Sequence, residues 1–222
     1  MKKIIIISMF LFAVSLYCQN DTKTDVKNDN IKTNQEIDPY LKLKELDSNL
    51  KTLKAKFKQE IFFKLADMKQ NIEGEIFFIK PDKLKIVHTK PNPQIIIIDS
   101  RKNIEIIKPA DKQIIRSKWD KWKNNLEPRL KGLFDFGNYS SLEKHSKVTS
   151  KKLEDGYIIE IKPKNSSYTL TLKLNLDFFP VESTLDLKDT IIKTFIDSFE
   201  KNIEINSNVF EFKDKEYEII DL

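Results

Sequence analysis

Leu53-Lys54-Ala55-Lys56-Phe57-Lys58-Gln59-Glu60-Ile61-Phe62-Phe63-Lys64 is the stretch from which the fold can be read. Leu53, Ala55, Phe57, Ile61 and Phe63 fall on one face, interrupted by Gln59, and Lys54, Lys56, Lys58, Glu60 and Lys64 fall on the other. Successive side chains of an extended chain point to opposite sides, so this period of two predicts a long strand with one apolar and one solvated face. The residues before it follow a different period. Asp38 and Pro39 make an N-cap and first-turn pair, and Leu43, Leu46, Leu50 and Leu53 recur at helical spacing, which predicts an amphipathic helix over 39–51. A helix therefore runs straight into a strand, and one stripe of that helix needs an apolar partner.

Outward toward the C-terminus, further strands are predicted at 71–80, 83–89, 94–99, 104–108 and 113–118. The connectors between them, such as Lys80-Pro81-Asp82 and Asp99-Ser100-Arg101-Lys102-Asn103, are short and rich in turn formers, as in an antiparallel meander. Trp119, Trp122, Leu126, Leu130, Leu133 and Phe134 then suggest one or two short helices separated near Pro128 and ended by Gly137 and Asn138. Strands resume at 147–153, 157–162, 168–177, 181–187 and 191–199, with a last piece containing Phe210 and Phe212. Tyr168, Leu170, Leu172, Leu174 and Leu176 alternate with polar residues, the mark of a strand buried on one face. No βαβ alternation and no internal repeat is present, so the fold class is mainly β with helices, an α+β protein on an antiparallel sheet.

Composition agrees with this. The chain has 222 residues, enough for one domain, and 40% hydrophobic content with fifteen Phe beside 33% charged residues. The beginning, Met1-Lys2-Lys3 followed by the apolar run Ile4 to Leu16, reads as a secretory signal over 1–18, too short for a comfortable transmembrane helix. Ser15-Leu16-Tyr17-Cys18 can be cut after Cys18 by an ordinary signal peptidase, or before Cys18 if that cysteine is lipidated. The first case gives a periplasmic protein without cysteine; the second gives an outer-membrane lipoprotein. Residues 19–37 form a polar leader that cannot bury enough surface to offset its ordering entropy, and 38–222 form the single domain. The formal charge of +5 includes Lys2 and Lys3, so residues from 19 onward carry +3, interspersed along the chain; this speaks for a solvated surface and against nucleic-acid binding.

No pattern for chemistry stands out. His88 and His145 are far apart and lack the spacing of metal ligands. Four glycines, Gly74, Gly132, Gly137 and Gly156, make neither a phosphate-cradling loop nor a Gly-x-Ser-x-Gly elbow. The expectation is a protein that binds and does not catalyse.

Four pieces in order carry a family resemblance. Phe57-Lys58-Gln59 followed by Glu73-Gly74-Glu75-Ile76-Phe77-Phe78-Ile79-Lys80-Pro81-Asp82-Lys83-Leu84-Lys85-Ile86 resembles the opening of the LolA family, a Phe-x-Gln strand, a Gly-x-hydrophobic strand and an Arg-Pro-Asp turn. Pro93-Gln94 to Asp99 resembles that family's next strand and turn, Asp177-Phe178-Phe179-Pro180 its Asp-x-hydrophobic-Pro turn, and Asn202-Ile203-Glu204 through Phe210-Glu211-Phe212 its closing Asn and Phe-x-Phe. The resemblance implies an incomplete antiparallel barrel with lid helices over a hydrophobic cavity. It implies a monomeric periplasmic carrier of acylated lipoproteins, loaded by an inner-membrane releasing complex and unloaded by an outer-membrane acceptor, with no cofactor and no chemical step.

On this resemblance Phe57, Ile61, Ile76, Phe78, Leu84, Ile86, Leu170, Leu172, Leu174 and Phe195 are expected to line the acyl cavity. Alternation names a face without saying whether the space beside it is filled, so the same residues serve equally well as plain core. Lys80 stands where the family has the Arg that ties lid to barrel; it is either a lid-holding residue or a rim lysine capping a strand end, and it offers a point charge in place of a planar fork. Trp119 and Trp122 are candidates for the lid. Two other readings fit the same pattern: a lipidated outer-membrane acceptor anchored through Cys18, and a periplasmic sensor that binds a protein.

Overall fold

The computed structural model describes residues 37–99, 102–124, 146–164, 168–214 and 216–222. The expected signal sequence, Cys18, the leader up to Glu36, Ser100, a second helix near Pro128, Gly137 and His145 lie outside the described residues. Helix α1 (Pro39–Asn49) precedes β1 (Thr52–Phe63), β2 (Met68–Ile79), β3 (Lys83–Lys90), β4 (Gln94–Asp99), β5 (Asn103–Lys108) and β6 (Gln113–Lys118). After α2 (Trp119–Asn124) come β7 (Ser146–Lys152), β8 (Tyr157–Pro163), β9 (Thr169–Leu174), β10 (Pro180–Asp186), β11 (Thr190–Lys201) and β12 (Glu218–Asp221).

The strands form one open sheet in the order β12-β6-β5-β4-β3-β2-β1-β11-β10-β9-β8-β7. Two meanders, β1–β6 and β7–β11, meet where β1 pairs antiparallel with β11, from Leu53 opposite Lys201 to Phe63 opposite Thr190. Short turns build each meander because neighbouring antiparallel strands need only a few residues to connect. One buried cluster runs along the inner face from Ile104 of β5 to Ile159 of β8 and takes in residues of the strands between them. The architecture is the expected incomplete barrel, unclosed between its edge strands.

Three details differ from the sequence reading. First, β9 stops at Leu174 and not at Asp177. The Asn175 side chain accepts hydrogen bonds from the amides of Asp177 (3.0 Å) and Phe179 (2.9 Å), which turns the chain and leaves Leu176 63% exposed. Second, the piece containing Phe210 and Phe212 is no strand. Asn206 caps the amide of Asn208 (2.9 Å) and starts a 3-10 turn, Ser207–Phe210. Third, the last strand is β12, paired parallel to β6 from Glu218 opposite Gln113 to Asp221 opposite Arg116.

The C-terminal segment between β11 and β12 crosses the outer face. Ile205, Val209, Phe210, Phe212 and Tyr217 form a second cluster with Phe77, Ile79, Ile95, Ile97, Ile107 and Ile114. Lys85 reaches the carbonyl of Val209 at 2.7 Å, and partial burial lowers the pKa of its ammonium. This explains the run Ile95-Ile96-Ile97-Ile98: Ile96 and Ile98 face inward, Ile95 and Ile97 outward, and both faces are covered.

Candidate functional site

Among the described residues the inner face carries the larger of the two buried apolar clusters, and nine of the ten residues expected on it meet there. Phe57 and Ile61 of β1, Ile76 and Phe78 of β2, Ile86 of β3, and Leu170, Leu172 and Leu174 of β9 are buried in the inner cluster, with Leu84 of β3 partly buried against it. Phe195 does not join them. The pairing of β1 with β11 shifts between Lys56 and Phe57, which sets Ile196 opposite Phe57 and Phe195 opposite Lys58, so Phe195 shares the face of the solvated lysines. A one-residue irregularity exchanges the two faces of a strand, and nothing in the local alternation announces it.

A glycine shapes the centre of this face. Gly74 lies between Phe57 on β1 and His88 on β3. A methyl group built on it would overlap the carbonyl oxygen of Val87 and stand 2.5 Å from Cζ of Phe57, so the missing side chain is what lets the Phe57 ring lie across the sheet. The Phe57 ring meets His88 edge-on, with centroids 6.2 Å apart. His88 is buried, and loss of solvation lowers its pKa to about 4, so its imidazole is neutral at pH 7.

Helix α1 closes over part of this face. Its Tyr40 and Leu43, with Leu50 just beyond its end, sit in the inner cluster, and Leu46 packs against it. Asp38 caps the first turn, accepting from the amides of Tyr40 (2.8 Å) and Leu41 (3.4 Å). The other end has no basic residue of its own in the last turn. Distant residues satisfy its carbonyls instead. The Lys80 ammonium donates to Ser48 O (3.0 Å) and Asp47 O (3.4 Å), and the Asn202 amide donates to Asn49 O (3.4 Å). Asn202, at φ 57°, also accepts from the amide of Lys51 (2.7 Å). A cation at a helix C-terminus meets both the unpaired carbonyls and the negative end of the helix dipole. Lys80 thus caps a helix rather than a strand end. Trp119 and Trp122 stack at 5.5 Å, with Trp119 buried in the same cluster beyond the end of β6.

Lys80→Met keeps the alkyl stem and removes the charge. Its expected effect is a loss of about 1 kcal/mol, the scale of a charge-assisted helix cap, concentrated in α1. Amide hydrogen exchange should show α1 opening faster while β1 and β2 stay protected; uniform protection would remove Lys80 from the control of this helix.

The polar residues of the inner face were only half visible in the sequence. Gln59 stands out as the break in the alternation of β1, and it is fully buried, donating through Nε2 to Thr194 Oγ1 at 3.0 Å. Thr194 and its other cross-strand neighbour, Ser183 of β10, carried no such signal, because hydroxyl residues are ordinary in strands. Among the described residues no cluster of His, Cys, Asp or Glu is arranged to hold a metal ion, and no helix is long and apolar enough to cross a membrane.

With this geometry in place, comparison with known families is decisive: the family model described as outer membrane lipoprotein carrier protein LolA matches residues 48–213. The chain belongs to the LolA family. The match runs from the end of α1 through the segment that crosses the outer face, and so spans both meanders of the sheet. Solved structures similar to this LolA-family chain include a LolA superfamily protein from Nitrosomonas europaea, 12% identical over 78% of this chain and 96% of that one, with a TM-score of 0.45. A putative outer membrane lipoprotein-sorting protein domain from Vibrio parahaemolyticus is 13% identical over 78% and 94% (TM-score 0.41). The lipoprotein LppX of Mycobacterium tuberculosis is 11% identical over 76% and 97% (TM-score 0.43). A search of curated proteins gives no match.

Proposed function

We propose that this LolA-family chain is a periplasmic carrier that holds the acyl chains of lipoproteins against the inner face of its sheet and moves them from the inner to the outer membrane. The observation that carries the reading is the way the apolar face is covered. Among the described residues, the eleven-residue helix α1 lies over part of it, held at its C-terminal end by side chains from other parts of the chain. A helix this short has little stability of its own, so its place depends on those contacts and on the apolar stripe it buries. Swinging α1 aside would withdraw Tyr40, Leu43 and Leu50 from the inner cluster and open part of that face to an acyl chain.

The energetics favour such a carrier. Each buried methylene contributes about 0.8 kcal/mol, so an acylated protein leaves a membrane at a useful rate only if another apolar surface receives it. Closure by α1 competes with the cargo for the same surface, which keeps binding moderate and lets an acceptor with better affinity draw the cargo onward. No cofactor or chemical step is needed. Loading by an inner-membrane complex and unloading to an outer-membrane acceptor complete the scheme, with the carrier acting as a monomer.

Mass spectrometry of the protein isolated gently from its own cell envelope tests this. A chain beginning at Gln19 with a co-purifying acylated polypeptide is the expected result. An acylated Cys18 would transfer the function to a membrane-anchored acceptor, and a stable partner without acyl groups would replace the carrier with a protein-binding module.

A further inference from the structure

The last residues of α1 and the first residues of the C-terminal segment are tied to each other. Asn202 stands directly after β11 with φ 57°, and its side chain spans the end of the helix: Oδ1 accepts from the amide of Lys51 at 2.7 Å, and Nδ2 donates to Asn49 O at 3.4 Å. The backbone doubles the tie. The Asn202 amide donates to Thr52 O at 2.9 Å, and Thr52 Oγ1 donates to Ile203 O at 2.5 Å. Just beyond, Ile205 packs on the outer cluster, and Val209, Phe210 and Phe212 follow it there. We infer that this segment is a latch: docked on the outer face it holds α1 shut over the inner face, and lifted from the outer face it sets α1 free. The inference rests on the reading of α1 as the movable cover of an acyl-binding surface and adds how that cover is controlled.

Neither element keeps its place unaided. An eleven-residue helix is marginal in isolation. Residues 203–212 belong to no strand and hold a four-residue 3-10 turn, Ser207–Phe210. Burial of Phe210 among Ile97, Ile107 and Ile114, with the Lys85 ammonium on Val209 O at 2.7 Å, is what keeps them on the sheet. Elements of such low local stability open as units, and one biases the other through the bonds that join them. Position 202 makes two demands, a positive φ that sends the chain on toward the outer face and a side chain with both a donor and an acceptor for the end of α1. Glycine meets the first demand and asparagine meets both. When the segment leaves the outer face, the turn at Asn202 loses its support and its side chain loses its aim at Asn49 and Lys51. Lys80 holds the same helix end from β2, independently of the segment. The cover thus rests on one fixed support and one that can be withdrawn, so α1 need not be touched to be opened.

Amide hydrogen exchange on the full-length purified protein, without ligand, tests the latch through substitutions on the outer face. Phe210→Leu loosens the segment, and Lys85→Met releases Val209 O while leaving the cluster filled; α1 contributes no residue to that cluster. Each variant is expected to speed exchange of the α1 amides about tenfold, the scale of one hydrogen bond lost, while β1 and β9 stay protected. Asn202→Gly keeps the positive φ and cuts the side-chain tie, so it should speed α1 exchange by a similar factor, and Phe210→Leu added to it should have no further effect on α1. Faster exchange in residues 203–212 with α1 unchanged overturns the latch. A Phe210→Leu effect on α1 that persists in full beside Asn202→Gly overturns it as well. Displacement of N-phenylnaphthylamine, a neutral apolar fluorophore, by a diacylglycerol then separates the latch from the reading beneath it. Tighter binding by Asn202→Gly than by the unmodified protein is expected, because a loosened cover competes less with the ligand, and equal binding overturns the latch as a gate. A diacylglycerol that displaces the fluorophore from neither form overturns the acyl-binding reading, and hydrogen exchange still decides whether segment and helix are tied.

Discussion

Gly74→Val is expected to destabilise the protein by at least about 3 kcal/mol, enough to leave much of the chain unfolded at 37 °C. The position has no slack. A Cβ there would collide with the Val87 carbonyl oxygen, which belongs to the backbone of β3, and would come within 2.5 Å of Cζ and 2.7 Å of Cε1 of Phe57. The Phe57 ring could rotate only by leaving the inner core, where it is 1% exposed. The carbonyl could move only by separating β2 from β3 at the place where their register already shifts, between Glu73 and Gly74. Either response sacrifices buried contacts in the middle of the sheet. Gly74→Ala should show the same effect at smaller size. Urea unfolding monitored by tryptophan fluorescence measures it, and a midpoint within error of the unmodified protein would mean that the sheet relaxes around this glycine at no cost.

The second large effect is a loss of about 3 kcal/mol of stability between pH 6.5 and pH 4, carried by His88 alone. Burial holds the His88 pKa near 4 in the folded protein, against an ordinary value of 6.5. Between these values the unfolded chain binds a proton that the folded chain refuses, so stability falls as the pH drops through the window and the loss is complete below it. Gly74 and Gln94 pair with His88 across the sheet and the Phe57 ring stands against it, and none of the three carries a charge. Carboxylates act lower on the scale. The pKa of Asp155 is lowered by its hydrogen bond to Lys173 and that of Glu211 by its hydrogen bond to Lys213, so their stabilisation is lost only as the pH falls below the usual carboxylate range. His88→Gln should therefore flatten the stability profile between pH 6.5 and 4 while leaving its steep acid limb in place. An unaltered slope in that window would show that His88 titrates near its ordinary pKa.

Both effects arise on one strip of the inner face, the row Phe57, Gly74, His88, and the sequence made only part of that strip legible. Phe57 was identified from the alternation of β1, and Gly74 only as part of the Gly-x-hydrophobic strand of the family resemblance. His88 stood out only as lacking the spacing of a metal ligand, because burial deep enough to move a pKa depends on what lies above the sheet. The same holds for Lys80: the sequence left it between lid and rim, and in the folded protein its ammonium lies on the last carbonyls of α1.

What the sequence determined by itself were the elements and their faces. The alternation of β1 and β9, the capped start of α1 and the short turns between strands are each written within about a dozen residues, since they depend on side-chain direction and local hydrogen bonding. Tertiary structure alone decided which elements meet. The pairing of β1 with β11 joins residues more than a hundred positions apart, and its register shift moved Phe195 off the inner face and Ile196 onto it. The segment after β11 could have added an antiparallel strand; packing Phe210 and Phe212 on the outer face of β2–β6 buries apolar surface that would otherwise stay wet, and the chain takes that course. Lys80 and Asn202 reach the end of α1, and Gln59, Thr194 and Ser183 form one row, only because the sheet brings distant strands into register. Periodicity fixes the direction of a side chain along its own strand, whereas its neighbours are fixed by the free energy of burying every apolar face at once.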